Sequence, residues 1–270
     1  MATDDTKAPE WTVLYHGIQN GRGQFKGRGE FLRLMLEDKG VAYLNSSENL
    51  YGSTGLMDGF RGSPEAVKAQ APGASFPLLY PPALLHQPTD GSEPVLINQT
   101  AACMIYLGDM LGYAPSSHAE RARANAVLCN AMDFIAEGRL SFHPVNGKAS
   151  YTDQKAEGDK ASKEFSQNRL KTYLYHFHKA VAIKGGKNPV AGGTEITYAD
   201  FALFHVLDAT VAQFNTEFYD HAWDKLDVPA LKEYYAWIKG RPNLQLYFQS
   251  DRCARTLCSP CYFEWLSSSI

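Results

Sequence analysis

The chain has 270 residues and a formal net charge of −3, with 44% hydrophobic and 20% charged residues. This composition supports a packed core and excludes global disorder, and the lack of a strong positive charge argues against nucleic-acid binding. No apolar run approaches the roughly 18 residues that a membrane span requires. The polar N-terminus is unlike a secretory signal, and five unevenly placed cysteines favour a reducing, cytoplasmic location.

The chain begins with a predicted α/β part. After a tail at 1–10, which we expect to be disordered, an apolar run predicts a buried strand at 11–15. The residues from Glu30 follow a helical repeat that Gly40 is placed to end, and a second short strand is predicted at 41–44. A strand, a helix and a strand in this order predict a βαβ unit.

Two more strands and a helix complete this part. Residues 45–75 are rich in Gly, Ser and Asn, and an apolar run after them predicts a third strand at 76–80. A long turn is predicted at 81–94, and a fourth strand at 94–97 pairs antiparallel with the third. A helix is predicted over 99–112.

From Ser116 onward only helices are predicted. Helical patterns cover residues 119–137, 161–182, 198–215 and 230–239. The character of the chain changes at 112–117. We therefore predict an α/β domain at 11–113, an all-helical domain at 116–252 and a C-terminal tail at 253–270.

Tyr15 ends the first predicted strand beside a glycine-rich loop. A phenol in that place can donate a hydrogen bond to a ligand thiolate, and such a bond lowers the pKa of the thiol. The alternative is an ordinary structural tyrosine.

Phe76-Pro77 puts a proline near the start of the third predicted strand. A proline in a strand removes a ladder donor and belongs at an edge or a break. With a cis bond, Phe76 would present its N–H and C=O to solvent, and an extended peptide could pair with it as an added strand. The alternative is a trans proline at an ordinary strand start, which is the commoner case.

Gln99-Thr100 opens the helix after the fourth strand. We predict Thr100 as the N-cap, and the first N–H groups of a helix make an anion site. A ligand carboxylate could bind there with the Gln99 side chain assisting. The alternative is a plain capped helix.

The loop at 17–29 contains Gly21, Gly23 and Gly27, a loose GxGxxxG. Dinucleotide binding would also need an acidic residue about 20 residues on, near the end of the second strand. The residues at 41–45 supply none, and the lysine spacing of a P-loop is absent. We therefore reject a nucleotide site.

Other motifs favour structural roles. Thr197 and Asp200 form a capping box, which is a folding device. Cys103 and Cys129 lie in helical patterns, where we expect buried thiols. His176, His178 and His205 are expected as core or surface histidines.

Three cysteines near the C-terminus, Cys253, Cys258 and Cys261, have the spacing C-x4-C-x2-C. A structural zinc site normally needs four ligands, and no fourth is spaced convincingly. We therefore expect free thiols in a tail and no metal.

Taken together, these features resemble the soluble glutathione transferases, most closely the tyrosine-type, sigma-like members. The resemblance covers roughly residues 11–252. It is carried by the order of the strand ending at Tyr15, the helix that follows Gly27-Arg28-Gly29, Phe76-Pro77-Leu78, Gln99-Thr100 and the Thr197–Asp200 box. It implies a thioredoxin-like N-terminal domain followed by an all-helical C-terminal domain, in a homodimer.

The resemblance also implies a site for reduced glutathione as co-substrate. Tyr15 would stabilise the thiolate, and the backbone of Phe76 before a cis Pro77 would pair with the cysteinyl unit. Gln99 and Thr100 would hold the γ-glutamyl end. Lys68 falls where the family places a lysine for the glycyl carboxylate.

Two regions depart from the family pattern. The loop between Tyr15 and Glu30 is several residues longer than the usual turn and allows two alignments of an arginine-glycine turn, at 20–23 and at 27–29. The segment 45–75 is long and lacks the expected tryptophan. Both insertions could reshape the entrance for an electrophile.

The resemblance implies a cytoplasmic enzyme that conjugates glutathione to hydrophobic electrophiles, as in detoxification. Aromatic residues of the helical domain would line the electrophile pocket, and the helix around Phe134 and the C-terminal tail are the candidates for it. The alternatives are a glutathione-dependent isomerase or peroxidase on the same fold, and a non-catalytic glutathione-binding protein. A cysteine-type thiol transferase is disfavoured because no Cys lies between Tyr15 and Glu30.

Overall fold

The structure of the protein is a computed structural model. It describes residues 9–15, 18–19, 22–23, 26–46, 68, 78–147, 149–183 and 185–253, with the main chain alone at 18–19 and 22–23. Most of the two predicted tails, at 1–8 and 254–270, lies outside these residues.

Four strands form one mixed sheet in the order β4-β1-β5-β6. The strands are β1 (Trp11–Leu14), β4 (Tyr43–Ser46), β5 (Ala83–His86) and β6 (Val95–Asn98), and β2 (Ile18–Gln19) with β3 (Arg22–Gly23) forms a separate short ladder. Strand β1 is parallel to β4 and antiparallel to β5, which is antiparallel to β6. Parallel neighbours need a crossover, and helix α1 (Glu30–Lys39) supplies it. The predicted βαβ unit is confirmed.

The remaining regular secondary structure of the described residues is helical. The helices are α2 (Thr100–Leu111), α3 (His118–Phe142), α4 (Lys155–Gln167), α5 (Arg169–Ala182), α6 (Tyr198–Phe214), α7 (Ala222–Lys225), α8 (Pro229–Lys239) and α9 (Pro242–Gln249). Helix α6 is apolar along most of its length. It is buried because α1, α3 and α8 pack around it. The predicted fold class, an α/β layer followed by helices, is confirmed.

Within the residues described above, no helix combines the length and apolar character that a bilayer crossing requires.

The third strand differs from the prediction. It runs over Ala83–His86, whereas Leu78 to Tyr80 have no strand structure and Phe76 and Pro77 lie outside the described residues. Both segments are short apolar runs next to a proline, so periodicity alone does not separate them. Ala83, Leu84 and Leu85 have exposures of 1% or less, as a strand between two neighbours requires.

The single helix predicted over 161–182 is two helices. They meet at Asn168, where α4 ends and α5 begins. The Asn168 side-chain amide donates to the carbonyl of Glu164 at 3.2 Å. Asparagine favours such local bonds over a continuous helix, which explains why the break falls here.

The predictions for two cysteines are corrected. Cys129 is exposed, because the buried face of α3 passes through Ala124, Leu128 and Ala131, and the residue after Leu128 points away from it. Cys253 is 7% exposed and packs into the core rather than lying in a tail. Cys103 is buried, as predicted.

The capping box at the start of α6 is present as predicted. Asp200 has no solvent exposure, and its carboxylate accepts four hydrogen bonds, from Val190 N, Thr197 N, Thr197 Oγ1 and Tyr234 OH, at 2.6–2.8 Å. Burial raises the pKa of Asp200 above its usual value, although these donors oppose the shift. Asp200 thus connects the start of α6 to Tyr234 on α8 and to Val190 in the loop before α6.

We expect Asp200→Ala to lower the free energy of unfolding by about 3 kcal/mol, because it removes a cap and leaves buried donors unpaired. Urea unfolding followed by circular dichroism measures this loss. Asp109→Ala is the matched control: Asp109 forms an exposed ion pair with Arg121, and its loss should cost under about 1 kcal/mol. Equal losses in the two variants would contradict this role for Asp200.

Candidate functional site

The register of the sheet brings three strand ends into one row. Leu14 of β1 pairs with Ala83 of β5, and Ala83 pairs with Asn98 of β6. One step beyond this row lie Tyr15, Pro82 and Gln99. Since neighbouring strands are about 4.8 Å apart, these residues meet at one end of the sheet within about 10 Å.

The Tyr15 side chain faces the turn that precedes α1. Tyr15 is 3% exposed, and its hydroxyl accepts a hydrogen bond of 2.9 Å from the backbone N–H of Arg28. A phenol oxygen can accept one bond and still donate its own proton in another direction. Of the two possible arginine-glycine turns, the one at 27–29 therefore meets Tyr15, while 22–23 lie in strand β3.

A cis proline enters strand β5, but it is not Pro77. The peptide bond between Pro81 and Pro82 is cis, and Pro82 directly precedes Ala83. The residue before the cis proline is thus Pro81, which offers a C=O but, as a proline, no N–H. Phe76 and Pro77 lie outside the described residues.

Gln99 and Thr100 stand where β6 turns into α2. The N-cap is Gln99, with φ 75° and ψ 116°, and Thr100 is the first helical residue, so the prediction of Thr100 as the cap is wrong by one residue. A positive φ outside glycine is uncommon, and such strain concentrates at binding sites. Gln99 is exposed and Thr100 is 2% exposed.

Lys68 is exposed and helical, and its neighbours on both sides lie outside the described residues. Among the described side chains, no three of His, Cys, Asp and Glu gather into a group that could hold a metal ion. Cys258 and Cys261 are outside that part of the chain.

Helix α6 holds the same turn from the other side. Lys26 Nζ lies 2.6 Å from Asp208 Oδ2, and both side chains are 14% exposed. Burial lowers the pKa of Lys26, but Asp208 outweighs it and raises the pKa above the usual value. His205, also on α6, lies 3.0 Å from the carbonyl oxygen of Gly27 through Nε2.

His205 is a core histidine, which is one of the two placements expected from the sequence. It is 1% exposed and packs edge to face against Phe31. Burial lowers its pKa to about 4 despite the nearby carboxylates of Glu30 and Asp208. A neutral ring can donate its Nε2–H to Gly27, which secures the turn.

The roles of Pro81 and Pro82 and the contacts of Lys26, His205 and Asp208 were not predicted from the sequence. A signal for Pro82 was available, because Pro82 stands directly before the apolar run Ala83-Leu84-Leu85, which is followed within a few residues by the Asp90-Gly91 turn. The contacts of the turn had no such signal in the sequence. Gly27 and His205 are 178 residues apart, and Lys26 and Asp208 are 182 residues apart.

Comparison with known proteins agrees with this architecture. Residues 141–251 match the family model described as "Glutathione S-transferase, C-terminal domain". A class-mu 26 kDa glutathione S-transferase of Fasciola hepatica is 25% identical over 158 residues, which are 58% of this chain and 60% of that protein. Glutathione S-transferase 2 of Onchocerca volvulus is 24% identical and the match covers 85% of this chain and 91% of that protein.

The fold matches solved structures over nearly the same span. A sigma-class glutathione transferase of Fasciola hepatica has a TM-score of 0.61 at 20% identity, covering 89% of this chain and 95% of that chain. Residues 141–251 thus match a glutathione S-transferase C-terminal domain, and the described residues have the fold of the solved glutathione transferases. These similarities agree with the resemblance stated from the sequence, and the names of the relatives agree with the predicted enzyme class.

The His205 environment predicts a pH dependence of stability. Between pH 6.5 and about 4 the unfolded chain binds a proton at this histidine and the folded chain does not. Stability is therefore full above pH 6.5 and falls as the pH drops towards 4, by up to about 3 kcal/mol from this group.

We expect His205→Gln to flatten this part of the curve of unfolding free energy against pH. Urea unfolding at several pH values gives the curve. His118→Gln, at an exposed position of α3, is the control and should keep the wild-type slope. A wild-type slope in His205→Gln would show that other groups cause the dependence.

Proposed function

We propose that the protein is an enzyme that binds reduced glutathione and transfers its sulfur to hydrophobic electrophiles. The observation that carries this proposal is the row of strand ends at Tyr15, Pro82 and Gln99. A phenol, an open stretch of main chain and a helix start stand together there. These are the three groups that an extended acidic peptide with a thiol needs.

Tyr15 is proposed to stabilise the thiolate. A cysteine thiol has a pKa near 8.5, so lowering it by two requires about 2.7 kcal/mol of preference for the anion. A donated phenol hydrogen bond close to a helix N-terminus can supply this. The thiolate sulfur then attacks an electrophilic carbon, the C–S bond forms, and the leaving group departs with its electron pair.

The main chain at Pro81 takes the role that the sequence assigned to Phe76. The Pro81 carbonyl can accept an N–H from the cysteinyl unit of the ligand, but Pro81 cannot donate in return. The N-terminus of α2 at Gln99 and Thr100 is proposed to hold the γ-glutamyl carboxylate. Lys68 stays proposed for the glycyl carboxylate.

The electrophile pocket is not assigned to Phe134. Its side chain has no exposure and packs against Phe165 and Tyr173 in the core. The other candidate, the tail beyond Cys253, lies outside the described residues. An isomerase or peroxidase would use the same activated sulfur, and a panel of electrophiles, isomerisable substrates and peroxides separates these activities.

We propose a cytoplasmic location and a role in detoxification, as in the family.

Tyr15→Phe tests the central role. We expect wild-type protein to be retained on immobilised glutathione, to be released by free glutathione, and to show thiolate absorbance of the bound ligand at neutral pH. The variant should keep retention, lose the thiolate absorbance and lose about 100-fold in turnover, as for other single-donor losses. Tyr175→Phe, an exposed tyrosine on α5, is the matched control. An unshifted thiol in the wild type would leave only a binding protein.

We also propose a homodimer. Leu79 and Tyr80 stand just before β5 with 43% and 49% exposure, and such apolar side chains can form part of an interface. Sedimentation should give twice the chain mass of 29.9 kDa, and Tyr80→Glu should shift the protein towards the monomer. A wild-type monomer at micromolar concentration would reject the dimer, and it would leave the proposed reaction with glutathione unaffected.

A further inference from the structure

Arg33 is the most buried Lys or Arg side chain among the described residues, and it lies beside the proposed site. It lies in the first turn of α1 with 1% exposure. Its Nε donates to Asn45 Oδ1 at 3.0 Å, and its Nη1 donates to Glu30 Oε2 at 2.8 Å and to the Lys26 carbonyl at 3.1 Å. One guanidinium thus ties the turn before α1 to the helix itself and to β4.

The same guanidinium packs against Tyr15. Its Cζ lies 5.9 Å from the centroid of the Tyr15 ring, within the range of a cation–π contact. Gly29 makes this approach possible: a Cβ there would stand 2.8 Å from Arg33 Nη2 and 3.0 Å from the Tyr15 ring. Arg33, Gly29 and Tyr15 therefore leave no room for a further carbon atom.

One donor of Arg33 is unused. Nη2 is buried and has no hydrogen-bond partner among the described atoms. An unpaired buried donor is costly, so hydrogen bonding alone does not account for this orientation. The orientation does place the planar group in contact with both the Lys26 carbonyl and the Tyr15 ring, and Arg28, two residues after Lys26, donates its N–H to the Tyr15 hydroxyl.

We propose that Arg33 is a positioning residue that sets the turn at 26–29 so that the Arg28 N–H reaches the Tyr15 hydroxyl. This inference rests on the proposed function, in which Tyr15 activates the glutathione sulfur. A lysine would keep the charge near Glu30 but has no planar fork that can bond Asn45 and the Lys26 carbonyl together. The fork, rather than the charge, is what the role requires.

The charge of Arg33 is secure in this place. Burial lowers the pKa of Arg33, but the Glu30 carboxylate outweighs it and holds the pKa above its usual range. The guanidinium therefore stays protonated at every pH at which the enzyme would be assayed. In the wild type, therefore, titration of Arg33 does not contribute to the pH profile.

The test compares Arg33→Lys with Arg241→Lys. Like Arg33, Arg241 donates to a carboxylate of α1: it makes two bonds, to Asp38 Oδ1 (2.5 Å) and Oδ2 (2.7 Å), at the far end of the helix from Tyr15. The readouts are the pKa of the bound glutathione thiol, the pH profile of kcat/KM with a chloronitroaromatic electrophile, and hydrogen exchange of the Arg28 amide.

We expect Arg33→Lys to raise the pKa of the bound thiol by about 1, to lower kcat/KM at neutral pH about tenfold, and to speed exchange of the Arg28 amide. Glutathione affinity should change less than threefold. Arg241→Lys should lose stability but keep the wild-type thiol pKa and Arg28 exchange.

An unchanged thiol pKa and unchanged Arg28 exchange in folded Arg33→Lys would overturn the inference. If Arg33→Lys does not fold, Asn45→Ala carries the test, since it removes one anchor of the fork and buries no new charge. Asn45→Ala should speed hydrogen exchange of the Arg28 amide and raise the pKa of the bound thiol, as expected for Arg33→Lys. Wild-type values of both quantities in Asn45→Ala would reject the positioning role of Arg33. Failure of the wild type to lower the thiol pKa would instead reject the proposed function, whatever the variants do.

Discussion

The pairing register of β1, β5 and β6 is the constraint on which both the core and the candidate site depend. It places Val13 opposite Leu84 in the core, and one step past the end of these strands it sets Tyr15, Pro82 and Gln99 side by side. A shift by one residue would turn every side chain of a strand to the other face. The burial of the strand side chains therefore also fixes the site.

The fold class could be predicted because its signals are long or repeated. The helices α3, α6 and α8 carry apolar repeats over many residues, and the Thr197–Asp200 box marks where α6 begins. Strand β5 is only four residues, preceded by Pro81-Pro82, a pair that also suits a turn. Choosing it over 76–80 requires knowing that β5 lies between two neighbours, which is a tertiary fact.

The candidate site was predictable where local order produces it. Tyr15 and Gln99 stand at strand ends, and position in the sequence was enough to single them out. The turn at 26–29 was not, because its geometry comes from Arg33 within α1, from Asn45 on β4 and from Asp208 and His205 on α6. A loop of this length has many possible conformations, and long-range contacts select one of them.

Helix α1 carries three buried carboxylates whose partners come from the end of the chain. Tyr247 donates to Glu30, Arg252 to Glu37, and Arg241 to Asp38. A charged group that loses its partner inside a protein is strongly destabilising. Each carboxylate also has a partner in the α/β half, from Arg33, Tyr43 and Tyr113 respectively. A chain truncated before Arg241 would keep these local bonds but lose the three contacts that attach α1 to the end of the chain, so truncation should loosen the attachment of α1 to the helical half.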